Sequence, residues 1–500
     1  MADTLDNQHR IVQQETLEVL LSKLKAVVTK LESTTKTKKG EDVSQDEVLE
    51  VKRVKYLFLK ESIDNTIADL KIWQDVFDPS WFLIMKLAAP QVDTELMSIR
   101  TSSADHTAMN SAQSLRTALS NDGSPGSPIF LPEDGVDSFL KLEIRYSTAK
   151  LVERPGPGNN LILDRISYPR HMNPVILRKP IATLAKRLSH SDPTTFGLLT
   201  CKGVVAHRSP DKRPLPEFTL VLRIPQDYSD PQSLRNCLMQ RNTDHSLSDR
   251  FLLAKDLAKA VGYVHTFGFV HKNVRPETIL VFKSSTSTIG SVSLVGFTDF
   301  RLEDSGSLLV GDTVWAKNIY RHPRRQGLMP EDSYTMQHDI YSLGVCLLEL
   351  GMWDSFVNFN EDATDAVPSP ALCLPVESCT GRMMTNHLVY LARTLLPKQM
   401  GNNYAEVVET CLTCLDEDNA DFGDEHEFLD QDDIRVGVRY IEKVPLLANM
   451  RDESSRLLGD HEAQPDLCLN HRGALFGTFH SRENDETSFR LAKWVSQFNS

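Results

Sequence analysis

Cysteine is scarce in this chain: eight residues out of 500, at positions 201, 237, 346, 373, 379, 411, 414 and 468. That number and that irregular spacing exclude a secreted disulfide framework and fit a reducing compartment. Long hydrophobic runs are missing as well. The densest apolar stretch, Trp81 to Ala89, falls far short of the ~20 residues that span a bilayer. Positive charge is not in excess, since 55 Lys and Arg stand against 68 Asp and Glu for a formal charge of −13. The chain as a whole therefore does not recommend nucleic acid as a partner. The first ten residues lack the basic-then-apolar order of a secretory leader. These absences predict a soluble, cytoplasmic protein.

What is present is the composition of a folded protein, 40% hydrophobic and 25% charged. At roughly 100 to 200 residues per domain, a chain of this length divides into several units. From Ile11 to Leu31 the residues Leu17, Leu20, Leu21, Leu24, Val27, Val28 and Leu31 recur at steps that place them largely on one face of a helix. A polar, Lys-rich break (Thr34 to Gly40) follows. Ser44 and Glu47 then read as a capping box opening a second helix, with Leu59, Ile63, Ile67, Leu70 and Phe77 on its stripe. Residues 1–100 thus read as a helical bundle or hairpin, a module for association and possible coiled-coil contact. Its charge, 14 Lys and Arg against 17 Asp and Glu, gives little support to an electrostatic lipid anchor.

Residues 101–137, centred on Ser124-Pro125-Gly126-Ser127-Pro128, have the composition of a flexible linker. From 138 to 225 short β-rich runs dominate: Leu161–Ile166, Val175–Leu177, Phe196–Val205 and Phe218–Ile224, with one helical stretch near Ile181–Leu188. Residues 226–450 are mainly helical, and 451–500 form a tail without a motif.

Within the helical part, a helix from about Leu252 to Thr266 runs out at Phe267-Gly268-Phe269-Val270. His271-Lys272-Asn273-Val274-Arg275-Pro276-Glu277-Thr278 follows. Further on stand Asp299-Phe300-Arg301, then Tyr320-Arg321-His322-Pro323-Arg324, then Asp339-Ile340-Tyr341-Ser342-Leu343-Gly344. In this order the segments resemble four protein-kinase landmarks: the catalytic loop, the metal-binding Asp-Phe-Gly, the Ala-Pro-Glu that closes the activation segment, and the buried helix of the C-lobe. The resemblance covers about residues 138 to 450. It implies an α+β, bilobal protein-kinase-like fold, a small β-rich N-lobe on a helical C-lobe, preceded by the all-α N-terminal region. Phe300, Pro323, Asp339 and Gly344 are its structural landmarks.

The chemistry implied by the resemblance is degenerate. Kinases use a catalytic-loop aspartate as base, whereas this chain has Asn273, which cannot accept the proton. Thr278 stands where an asparagine would hold metal, and Arg275 where a lysine would face the transferred phosphate. Asp299 remains as the candidate Mg²⁺ ligand. No Gly-x-Gly-x-x-Gly lies among the first strands, and Pro155-Gly156-Pro157-Gly158 reads as a turn. The lysine of the third strand finds its nearest match in Val175-Ile176-Leu177-Arg178-Lys179, where strict register selects Arg178 and a one-residue shift selects Lys179. Lys179 is taken as the nucleotide-binding candidate. Ile181 to His190 contains no glutamate to pair with it. His271 reads as a structural histidine of the loop.

Asp421-Phe422-Gly423 is a literal Asp-Phe-Gly, but it follows the Asp339 helix and sits in an acidic run, so it reads as a solvated loop. Cys411-x-x-Cys414 has no second pair at zinc-ligand spacing and reads as a buried helical face. Arg321, Arg324 and Arg325 form a small basic cluster. The architecture resembles fungal kinase-like proteins with an N-terminal helical region and, more distantly, the mixed-lineage kinase-like executioner of necroptosis. The expected function is a catalytically impaired pseudokinase acting as a signalling or interaction switch, with ATP and Mg²⁺ as doubtful ligands. Protein partners would bind through the helices and the kinase-like domain, and self-association is an open possibility. The alternatives are a weak or atypical Ser/Thr protein kinase, a nucleotide sensor, and a membrane-active helical effector.

Overall fold

The computed structural model describes residues 129–423 apart from short internal stretches, helical segments between 81 and 120, the pair Thr35–Thr37 and Leu49–Val51, and the helical positions Ser22 and Lys25. Strands β1 (Thr35–Thr37) and β2 (Leu49–Val51) pair antiparallel. The expectation of a helix running through Leu49–Val51 is corrected here, where the β-branched Thr35, Thr37 and Val51 suit a ladder. The rest of the two long N-terminal helices, and the tail 451–500, lie outside the described residues.

Helices α1 (Gln91–Arg100) and α2 (Thr107–Ser120) come next. The second replaces part of the expected linker 101–137, and contact rather than composition holds it. Buried Arg116 on α2 pairs with Asp93 on α1, and its Nη1 donates to the carbonyls of Met85 (2.6 Å) and Ala88 (2.8 Å). Phe82 packs edge-on against Phe196 and Tyr263, at 5.0 and 5.6 Å between ring centres. Ser111 Oγ donates to Asp192 at 3.3 Å. Phe82, Met85, Val92, Leu96, Ala112, Leu115 and Ala118 belong to the same hydrophobic core as the lobes.

The N-lobe is built on β3 (Phe130–Leu131), β4 (Lys141–Glu143), β5 (Lys150–Val152), β6 (Leu161–Ser167), β7 (Cys201–Arg208) and β8 (Pro214–Arg223). Their order in the sheet is β3-β7-β8-β6-β5-β4, antiparallel except for β3 against β7. Phe130 and Leu131 thus add an edge strand from the segment read as linker. The central strands β6 and β8 pair continuously from Leu161 with Arg223 to Ser167 with Glu217.

Between β6 and β7 lie α3 (Pro174–Ser189) and the short α4 (Pro193–Phe196). The expected strand at Val175–Leu177 is corrected: these residues form the first turn of α3. The Asn173 side chain accepts from Val175 N at 3.0 Å, and Pro174 fits the first helical position. Once started, the helix buries Leu177, Ile181, Leu184, Ala185 and Leu188 along one face.

In the C-lobe, β9 (Ser229–Ser233) leads to α5 (Leu234–Gln240) and α6 (Leu247–Thr266), which opens on a capping box of Ser246 and Asp249. Strand β10 (Phe269–Val270) precedes the catalytic-loop segment, and β11 (Ile279–Ser284) and β12 (Ser287–Leu294) form a hairpin with β9 on its edge. Then come β13 (Arg301–Leu302), paired with β10, the short α7 (Trp315–Asn318) and a 3₁₀ turn, Pro323–Arg325. Helix α8 (Met336–Met352) is buried on all sides except at its last residue. The small pair β14 (Val357–Phe359) and β15 (Ala366–Pro368) follows, then α9 (Gly381–Met400) and α10 (Asn402–Leu412). Gly344 lets α8 and α10 touch, because a Cβ there would lie 2.8 Å from that of Cys411. No helix among the described residues is long and apolar enough to cross a membrane.

Candidate functional site

Asp339, at the start of α8, fixes the catalytic-loop segment. Its carboxylate accepts the amides of His271 (2.7 Å) and Lys272 (2.8 Å) and lies 3.1 Å from His265 Nε2. Burial alone would raise its pKa, but these partners hold it below the ordinary value. Lys272 is thereby kept at a φ of +67°, a conformation that a lysine rarely adopts. His271 is fully buried, lies tilted against the Phe297 ring with 4.6 Å between ring centres, and has its pKa pushed down to about 4 by burial. Burial thus favours the neutral imidazole.

Asn273, Arg275 and Thr278 all have their side-chain polar groups bonded within the protein. Asn273 Nδ2 donates to Gly296 O (3.0 Å) and Thr298 Oγ1 (3.1 Å), and its Oδ1 accepts from Arg275 Nε at 2.9 Å. Arg275 has Glu277 as a second partner at 3.8 Å. Thr278 Oγ1 donates to the carbonyls of Asn273 (2.7 Å) and Arg275 (2.9 Å) and is buried.

The tripeptide that meets this loop is Gly296-Phe297-Thr298, three residues ahead of Asp299-Phe300-Arg301. Gly296 contacts Thr278 and Asn273, Phe297 contacts His271, and Thr298 contacts Asn273. Gly296 has a φ of +84°, and a Cβ on it would lie 2.4 Å from Thr278 Cγ2. Asp299 lies outside the described residues. Phe300 is buried edge-on against Phe269 at 5.9 Å.

Across from this tripeptide stands a carboxylate that sequence reading missed. Asp164, in the middle of β6, is fully buried among Ile162, Leu163 and Ile166. Its Oδ2 accepts the amides of Gly296 (2.8 Å) and Phe297 (3.2 Å), and its Oδ1 has no hydrogen-bond partner. Burial pushes its pKa up to about 6 against the opposing pull of the two amides. Counting the meander β4, β5, β6, Asp164 lies on the third strand, where the kinase resemblance places a lysine. Lys179 is instead exposed on α3, so its expected place on a strand is corrected by the Asn173-Pro174 helix start. Arg178, the other register choice, covers the Phe130 ring at 3.9 Å.

Two further segments border the cleft in the kinase resemblance. The turn from β4 to β5, Ile144 to Ala149, contains no glycine; Tyr146 stacks on Phe359 at 4.9 Å, and Ser233 Oγ donates to Arg145 O at 2.6 Å. The connection leaving β8 offers Ile224, whose amide already donates to Asn160 O at 3.2 Å, and Pro225, which has no amide.

Pro323 opens the 3₁₀ turn that ends the activation segment, and Arg324 there approaches Asp332 at 3.5 Å and donates to Leu415 O. Beneath it, fully buried Arg235 holds Glu349 (2.9 Å), Glu277 (3.2 Å) and Tyr320 (2.6 Å) in one network. Phe422, of the literal Asp-Phe-Gly, is buried in the loop after α10, and Cys411 and Cys414 are buried on and after that helix.

Residues 219–422 match the protein tyrosine and serine/threonine kinase family. The dual specificity protein kinase lkh1 of Schizosaccharomyces pombe is 26% identical over 150 residues, covering 29% of this chain and 21% of its own. The Drosophila melanogaster ovarian-specific serine/threonine-protein kinase Lok is 31% identical over 104 residues, 19% of this chain and 21% of its own. The MAP kinase kinase skh1/pek1 of S. pombe is 25% identical over 169 residues, 33% and 39%. The matched stretches thus span well under half of these relatives. Together with the architecture, they establish that this chain carries a protein-kinase-like domain with a β-sheet N-lobe and a helical C-lobe.

Proposed function

We propose that the kinase-like domain is a pseudokinase, a fold retained as a signalling and interaction module rather than as a phosphotransferase. The observation that carries this reading is the hydrogen-bonded chain Asp164, Gly296, Asn273, Arg275. A carboxylate on the third strand, where a kinase holds a phosphate-facing lysine, and an amide in the catalytic loop, where it holds a base, support this reading. The described residues do not fit ATP with Mg²⁺. Asp164 would repel the triphosphate, Thr278 has turned its hydroxyl onto backbone carbonyls, and neither Ile224 nor Pro225 has a free amide for a base edge. The helical segment from Trp81 to Ser120 supports the second half of the reading. Through Phe82 it touches Phe196 and Tyr263, and through Ser111 it touches Asp192, so a protein partner pulling on the N-terminal helices would act directly on the lobes.

Thermal unfolding of the full chain, titrated with ATP with and without Mg²⁺, tests this. A ligand bound only by the folded state adds RT ln(1 + [L]/Kd), and about 1 kcal/mol moves the midpoint of a domain of this size by roughly 2–4 °C. The expected result is an unmoved midpoint at millimolar ATP. A Mg²⁺-dependent rise abolished by Asp299→Ala would overturn the proposal and favour a nucleotide sensor or weak kinase.

A further inference from the structure

Two short strand pairs, one from each lobe, meet at Tyr146. The N-lobe pair is β4 and β5, three residues each at the edge of the sheet, joined by the turn from Ile144 to Ala149. The C-lobe pair is β14 and β15, which run from Val357 opposite Pro368 to Phe359 opposite Ala366. The rings of Tyr146 and Phe359 stack with 4.9 Å between centres and 26° between planes, and the Arg145 guanidinium lies 5.0 Å from the centre of the Tyr146 ring. A second bond fastens the same turn, since Ser233 Oγ donates to Arg145 O at 2.6 Å. Ser233 pairs with Leu280, two residues beyond Thr278, so the turn is tied down beside the catalytic-loop segment.

The two sides of this contact differ in stiffness. The β14–β15 pair is rooted in the buried polar network of the C-lobe: Phe356 N donates to Glu349 Oε1 at 2.7 Å, Arg235 Nη1 to Ser355 Oγ at 2.5 Å, and Ser369 N to Phe356 O at 3.0 Å. The turn is held less deeply. Between Lys141 and Ala149 only Ile144 and Ala149 are buried, one at each end of the turn, and β4 pairs with β5 alone. Tyr146 has a φ of +60°, a conformation that a tyrosine keeps only where its surroundings enforce it. The surroundings that do so are the ring stack and the bond from Ser233.

We propose that the β14–β15 pair is a strap and the β4–β5 turn a lid: Phe359 holds Tyr146 down on the C-lobe, and loss of that stack frees the lid while the rest of the sheet stays in place. Strand β6 is secured by other means, through seven residue pairs with β8 and through the bonds of Asp164 to Gly296 and Phe297. The hinge falls at β5, whose pairing with β6 covers only three residues, from Lys150 opposite Leu163 to Val152 opposite Leu161. Elements with short ladders and few buried groups open at free energies well below that of global unfolding. The closing contacts are side chains of this chain, so the closed position does not require a nucleotide. The inference is independent of whether the cleft transfers phosphate.

Peptide-resolved hydrogen exchange on the full chain tests this, with the variants Phe359→Ala, Tyr146→Ala and Tyr146→Phe. Exchange over 141–152 is expected to quicken at least ten-fold in Phe359→Ala, a substitution in the other lobe, and by as much in Tyr146→Ala, with nothing further when the two are combined. Tyr146→Phe keeps the ring and should match the parent chain. Residues 161–167 should stay slow in every variant, reporting that the sheet and the Asp164 contacts remain. Unchanged exchange over 141–152 in Phe359→Ala, or a change confined to 357–359, would show that the turn holds itself and overturns the proposal. Exchange over 141–152 at the rate of an unstructured peptide in the parent chain overturns it as well. So does quickening over 161–167 equal to that over 141–152, because the turn would then open only with its lobe.

Discussion

Oδ2 of Asp164 accepts the backbone amide of Gly296 at 2.8 Å, joining the central strand of one lobe to the loop that lines the other. From Gly296 the connection continues through its carbonyl to Asn273, and from Asn273 to Arg275. A kinase bridges the same span with a lysine, phosphates and metal. In this chain hydrogen bonds between protein groups cross the same span, and their members titrate and pack in ways that can be measured.

Asp164 should make stability depend on pH in an unusual direction. Its pKa is about 6 in the folded protein and near 3.8 otherwise. Between these values the folded state holds the extra proton, so stability falls as pH rises from ~4 to ~6 and stays reduced above. Asp164→Asn keeps an oxygen for the two amides and removes the buried charge. Urea unfolding should show the variant more stable at pH 7.5, by up to about 3 kcal/mol, with a flatter profile between pH 4 and 6. A variant less stable at pH 7.5 would mean that the charge-assisted bonds outweigh burial.

Gly296→Asp puts a carboxylate at the residue whose amide Asp164 holds, yet the site has no room for it. The residue must adopt a φ of +84°, and its Cβ meets Thr278 Cγ2 at 2.4 Å. Backbone strain and overpacking together should cost about 2–5 kcal/mol. Denaturant unfolding should register this loss, with no ATP-dependent midpoint shift in return. Adding Thr278→Ala, which removes the clashing methyl, should recover part of the stability.

Asn273→Asp, the simplest restoration of a catalytic base, should also fail. Asn273 Nδ2 donates to Gly296 O and Thr298 Oγ1. An aspartate there sets carboxylate against carbonyl, a loss of about 1–3 kcal/mol. Phosphate transfer to a generic Ser/Thr substrate, followed with labelled ATP, should remain at background. Activity appearing in this variant would show that one missing base was the sole defect.

How far the sequence discloses this site depends on the separation of the partners. His271 to Thr278 are legible because the segment resembles the kinase catalytic loop in order and spacing, with its departures at Asn273, Arg275 and Thr278 open to reading one by one. Asp339 is legible through its helix, and Gly344 through the same motif. Asp164 is not, because its meaning comes from amides 132 residues away. Two phenylalanine-centred tripeptides in tandem, at 297 and 300, disguise the register, since the second contains the expected aspartate and the first makes the contacts. At α3 the β-branched Val175 and Ile176 outvote the Asn173-Pro174 start when propensity alone is read. At α2 a Ser- and Thr-containing composition hides a helix that buries Ala112, Leu115, Arg116 and Ala118.

Buried Arg116 and Phe82 set the last prediction. Phe82 is 1% exposed and makes two edge-on ring contacts, so Phe82→Ala should cost about 3–5 kcal/mol. Arg116→Met removes the pairing with Asp93 and leaves the carbonyls of Met85 and Ala88 without their donor. Both changes act on the joint between the helical segment and the lobes, while the Asp339 contacts are far along the chain. Amide exchange should therefore quicken across Thr107–Ser120 in each variant and stay slow across Met336–Met352. Exchange that quickens equally in both helices would show that the segment and the lobes unfold as one unit, and would remove the mechanical independence that a switch requires.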